Sequence, residues 1–155
     1  MDKHIEIANG KILKVFSTEE TLNIEKKWMS VFCKQKQGLN TKQFKWHIFS
    51  GGRYPSITGE ASVQEYSKQY ANEYILLANN GNLAILTNTK PFECNISDFY
   101  VFPHNMAWTM AFTHEDGWLG PYFALHPNYK SLNAINEKHK DKLQQIGIAK
   151  KNGWY

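Results

Sequence analysis

The sequence predicts a single α+β domain: a mostly antiparallel sheet of about five to six strands built from hairpins, with three helices packed on one side. Three observations lead there. Two pairs of apolar runs are joined by tight turns, "YILLA-NNGN-LAILT" and "MAWTMAFTH-EDG-WLGPYFAL". Three other segments space their apolar residues as a helix does. The helices alternate with hairpins rather than with single buried strands, which argues against a parallel α/β sheet. At 155 residues the chain has room for one core, and no repeat, low-complexity run or linker divides it, so residues 1–155 read as one domain.

In chain order, "IEIANGKILKVF" alternates and breaks at Asn9-Gly10, a hairpin-type turn. Ser17 and Glu20 then form a capping-box pair at the head of the first helix. Leu22, Met29 and Cys33, beside Ile24, Trp28, Val31 and Phe32, give that helix a wide apolar face. Glu19 and Glu20 at its start, Lys34 and Lys36 at its end and Gly38 beyond suit the helix dipole and a C-cap. "FKWHIFS" (Phe44–Ser50) alternates and is rich in aromatics, so it reads as a strand opening into the breaker-rich loop "GGRYPSITG". Thr58 caps a second helix with Val63, Tyr66 and Tyr70 on one face. The first hairpin follows, then "FYVFP" and the second hairpin, turning at Asp116-Gly117. A third helix places Leu132, Ile135, His139, Leu143 and Ile146 on one stripe, with a solvated face of Glu137, Lys138, Lys140, Asp141 and Lys142.

Charge is distributed unevenly. Residues 1–45 carry nine lysines against five acids, residues 46–129 three bases against seven acids, and residues 130–155 six lysines against two acids. The aromatic-rich middle is therefore acidic, the reverse of what nucleic-acid binding needs, and no specific nucleic-acid partner is expected. No run approaches the ~18 apolar residues of a membrane span, and the N-terminal segment lacks the pattern of a signal peptide. Those readings, with Cys33 and Cys94 taken as idle thiols (a disulfide between them staying open), make the expected location cytoplasmic.

Chemistry-bearing motifs are sparse. There is no phosphate loop, no nucleophile elbow and no activated cysteine motif. His104, His114 and His126 lie ten and twelve residues apart without metal-site spacing, so no metal or other cofactor is expected. In "FTHEDGWLGPYF", an extended chain puts Trp108, Met110, Phe112 and His114 on one face, ending in a histidine beside Glu115 and Asp116. That turn can be ordinary hairpin chemistry, a binding edge, or an acid–base pair.

"FKWHIFS" and "DFYVFPHNMAWTMAFTHEDGWLGPYF" together resemble the small bacterial family catalogued as domain of unknown function 4275. The shared features are Trp46-His47, the strand Trp108-Thr109 running into Thr113-His114-Glu115, and Gly120 to Phe123. The resemblance implies a bacterial cytosolic protein of similar length and assigns no site. Small bacterial proteins of this kind are often immunity proteins that neutralise a toxin.

The leading expectation is a non-enzymatic protein-binding protein, an immunity protein covering the active site of a toxin that is basic at the contact surface. Its partner-binding residues would be His114, Glu115, Asp116, Trp118 and Tyr122 around the turn, with Arg53 and Tyr54 from the breaker-rich loop. One alternative is a small hydrolase or metal-dependent enzyme using His104, His114, Glu115 and His126. Another is a small-ligand binder with a pocket lined by Trp46, Trp108 and Trp118.

Overall fold

The structure, a computed structural model, describes residues 11–34, 45–92, 94–113 and 121–151, with side chains as far as residue 142. In these residues the chain runs β1 (Ile12–Val15), α1 (Thr18–Phe32), a single helical turn α2 (His47–Ser50), β2 (Ile57–Thr58), α3 (Glu60–Lys68), β3 (Tyr74–Ala78), β4 (Ala84–Thr87), β5 (Phe99–Pro103), β6 (Trp108–Phe112), β7 (Tyr122–Leu125) and α4 (Tyr129–Lys151). The seven strands form one sheet in the order β1-β4-β3-β5-β6-β7-β2, every neighbouring pair antiparallel. The α+β class and the antiparallel sheet are as the sequence predicts, with slightly more strands.

Both hairpins form. β3 meets β4 with Leu77 opposite Ala84, and β6 meets β7 with Ala111 opposite Tyr122. Gly81 makes the first turn with φ 74°, a conformation that side chains with a Cβ rarely adopt. The capping box of α1 is present: Ser17 Oγ accepts from the Glu20 amide at 3.1 Å, and the Glu20 carboxylate accepts from the Ser17 amide at 3.0 Å. Helix α1 ends at Phe32 with Cys33 as its C-cap, short of the predicted Lys34 and Lys36. Gly38 and Asn9-Gly10 lie outside the described residues.

Four expectations are corrected. The segment read as the strand Phe44–Ser50 is helical from His47: one turn places Ile48 and Phe49, with Trp46 just before them, together in the core that Trp28 and Phe32 of α1 also enter. Gly59, not Thr58, is the N-cap of α3, at φ 69° and ψ −146°. The stripe of α4 is rotated: Asn136 is buried, whereas Ile135 is 50% exposed and His139 is exposed. Asn136 turns inward because its amide meets Asn105, whose Nδ2 also donates to the Leu132 carbonyl at 3.0 Å.

The fourth correction concerns layering. Helices cover both faces of the sheet, not one. Ile75 and Leu77 of β3 join Trp28, Phe32, Trp46, Phe49 and Tyr100 in a core under α1 and α2. Tyr74 and Leu76, their alternating neighbours, join Tyr66, Trp108, Met110 and Phe123 in a second core under α3 and the start of α4. β3 and β5 are buried at every position, which explains their unbroken apolar runs. Cys33 and Cys94 belong to these two different cores and form no disulfide with each other.

Candidate functional site

Strand β2 has only two residues, pairing Ile57 with Phe123 and Thr58 with Tyr122, and it forms one edge of the sheet. Beside it an open groove of about 710 Å³ runs between α3 and the C-terminal end of β7. Phe123, Ala124 and Leu125 make its floor, Tyr54 to Ile57 one rim, Glu65 and Gln69 the helical wall, and Pro127 with Tyr129 its end. Its volume falls in the range of about 300–1,000 Å³ common for ligand sites, and its lining is mainly apolar. Ile57 and Leu125 are 39% and 43% exposed, so part of this apolar surface faces solvent.

Each wall is held from behind. The Tyr54 ring meets Phe32 and Phe49 edge-on at 5.2 and 6.1 Å, and its hydroxyl donates to the Leu125 carbonyl. Burial raises the Tyr54 phenol above its ordinary value, which keeps that donor protonated. The Lys90 ammonium donates to the carbonyls of Tyr66 and Ser67 at 3.0 Å each, and to that of Gln69 at 2.5 Å. It thereby satisfies the orphan carbonyls at the end of α3 and fixes the wall. Gln69 is 9% exposed, and its Oε1 accepts from the Tyr129 hydroxyl at 2.9 Å. Beneath the floor, Trp108 stacks on Phe123 at 6.0 Å, and its indole N–H finds no acceptor among the described residues.

The predicted site residues separate into three groups. Arg53 is exposed and directly precedes the rim, and Tyr54 is part of it. Tyr122 is 4% exposed and lies in the core, its ring stacked on Trp46 at 6.1 Å, so it presents no surface to a partner. The hairpin pairing explains this: Tyr122 points to the α1 face, where aromatic burial is greatest. His114, Glu115, Asp116 and Trp118 lie outside the described residues.

Trp46 and Trp108 are buried in different cores on opposite faces of the sheet, so they cannot line one pocket. His104 Nε2–H donates to the Glu73 carboxylate at 3.0 Å beside a small cavity of about 190 Å³. His126 Nδ1 accepts from the Asn128 amide at 2.9 Å in the turn before α4. Among the described residues, no group of three or more His, Cys, Asp or Glu side chains is placed to hold a metal ion, and no helix is long and apolar enough to cross a membrane.

Burial, and then the charge of Lys34, pull the His126 imidazole below its usual value of 6.5. A histidine with a depressed folded pKa contributes stability that is complete above 6.5 and is lost as the pH falls below it. NMR titration of His126 is expected to give a pKa below 6.5, with the Asn128 amide shifting in the same step.

The family model described as a domain of unknown function (DUF4275) matches residues 11–123, more than half of the chain, and the protein belongs to that family. The match takes in β1 through the start of β7, and thus the Tyr54–Ile57 rim and the Glu65–Gln69 wall. No curated protein and no solved structure matches the chain. Sequence reasoning missed Ile57, Gln69, Phe123, Leu125 and Tyr129. The one signal for them was the pair Pro55 and Pro127, which interrupt the chain on either side of the groove.

Proposed function

We propose that this chain is a non-enzymatic binding protein that engages a protein partner through the β7–β2 edge of its sheet. The specific case we favour is a bacterial cytoplasmic immunity protein that neutralises a toxin by covering its active site. One observation carries the binding reading: an apolar groove with solvent-exposed Ile57 and Leu125 lies next to exposed Arg53 and half-buried Tyr54. Arginine and tyrosine are the residue types that dominate interface energetics, and a concave apolar patch beside them supplies the desolvated centre an anchor needs. The acidic residues Glu115 and Asp116 remain in the proposal from the sequence alone, as contacts for a partner that is basic at the surface.

Co-expression with the product of the adjacent gene tests this reading. A stable complex is expected, and Arg53→Ala, at an exposed loop position, is expected to weaken it by about tenfold or more while leaving the melting temperature unchanged. A complex of unaltered affinity would remove the edge from the contact surface.

A further inference from the structure

Glu65 and Gln69 stand four residues apart at the end of α3 and face the same groove. Residues at this spacing are neighbours on a helix surface, about 5–6 Å apart at Cβ. Their free hydrogen-bonding groups are opposite in kind. The Gln69 amide is oriented by the Tyr129 hydroxyl on its oxygen, and no acceptor among the described residues takes its Nε2 hydrogens. The Glu65 carboxylate is only part-covered, with Lys68 on one oxygen, Oε1, at 3.3 Å. A donor and an acceptor thus sit side by side above an apolar floor.

We infer that the groove binds an extended segment of the partner's main chain, one residue of which gives its N–H to Glu65 and its C=O to Gln69 while its apolar side chains fill the groove. This rests on the binding function proposed above and names what that surface recognises. In an extended chain the N–H and C=O of one residue point the same way, so a single residue satisfies both groups at once. A helix cannot do this, because its main-chain groups are already paired. Alternate side chains of the same segment point toward one face, where Phe123 and Leu125 form the floor and Ile57 the rim. Apolar contact supplies the affinity, and the Glu65–Gln69 pair sets the register.

The probe is a phage-displayed library of random linear heptapeptides panned against the full chain, followed by binding of the recovered peptides in labelled synthetic form. Recovered sequences are expected to be apolar at alternating positions. Gln69→Glu keeps an oxygen for the Tyr129 hydroxyl but replaces the donor with a carboxylate, so the fold is expected to persist while peptide affinity falls by about tenfold or more. Leu125→Ser, at an exposed floor position, provides a second variant and should also weaken binding. Failure to enrich any peptide above the bare support would overturn the inference, as would undiminished binding by Gln69→Glu. If peptides fail while the neighbour-encoded partner still binds, the inference falls and the binding function stands. If peptides bind as described while that partner does not, the groove's specificity holds and the toxin reading falls.

Discussion

Trp28→Ala is expected to lower the melting temperature by roughly 6–20 °C, from a loss of about 3–5 kcal/mol at about 2–4 °C per kcal/mol for a chain of this size. Trp28 is 0% exposed and sits where α1 meets the sheet. Its ring centroid lies 5.2 Å from Phe32, 6.0 Å from Phe49 and 4.8 Å from Tyr100. Its indole N–H donates to Thr109 Oγ1 at 3.0 Å, tying the helix to β6 in the middle of the sheet. Truncation leaves a cavity among aromatic rings and removes the donor from a buried hydroxyl. Thermal unfolding followed by near-ultraviolet circular dichroism reads the loss directly. An unchanged melt would contradict the packing of α1 described above.

Asn79→Leu is the second large effect. Asn79 follows β3 at the mouth of the hairpin and is 8% exposed. Its Oδ1 accepts from the Lys45 amide at 3.1 Å and from the Tyr100 hydroxyl at 2.5 Å. The Tyr100 oxygen in turn accepts from the Trp46 amide at 3.0 Å. The Lys45 ammonium, 4% exposed, donates to the Asn79 carbonyl and pairs with Glu25 of α1 at 3.0 Å. The Asn79 side chain therefore joins the turn before α2, the hairpin and β5, and the Lys45 ammonium carries the connection on to α1. Leucine orphans two buried donors at about 1–3 kcal/mol each, so a loss of about 2–6 kcal/mol is expected. Asn79→Asp retains the acceptor and should keep most of the stability. Equal melts for the two variants would mean that the hydrogen bonds accepted by Oδ1 do not stabilise this position.

The same network explains Gly81. A Cβ there would lie 1.6 Å from Glu25 Oε2, so any larger residue displaces the carboxylate that pairs with Lys45, in addition to straining a φ of 74°.

What the sequence revealed, and what it hid, follows from the range over which each signal acts. The capping box of α1 and the Asn/Gly turn of the first hairpin are local chemistry, and both stand where the residues indicate. Trp46 to Ser50 misled because an aromatic-rich alternation reads as a strand, whereas packing beneath α1 holds it in a helical turn. The two-sided sheet was visible in "YILLA" and "FYVFP", whose apolar runs have no solvent face, and was missed because the hairpins imply an open side. Lys45, Asn79 and the groove residues Gln69 and Tyr129 were illegible. Their roles depend on partners 20 to 60 residues away that no spacing rule connects.

Binding at the β7–β2 edge is tested most directly by amide hydrogen exchange on the protein alone and in complex with its co-expressed partner. Slowed exchange on complex formation is expected at residues 53, 54, 56 and 57 and along 123–125, with β1 at the opposite edge of the sheet unchanged. Protection confined to β1 and the exposed side of α1, with residues 53–57 and 123–125 exchanging as in the free protein, would contradict it.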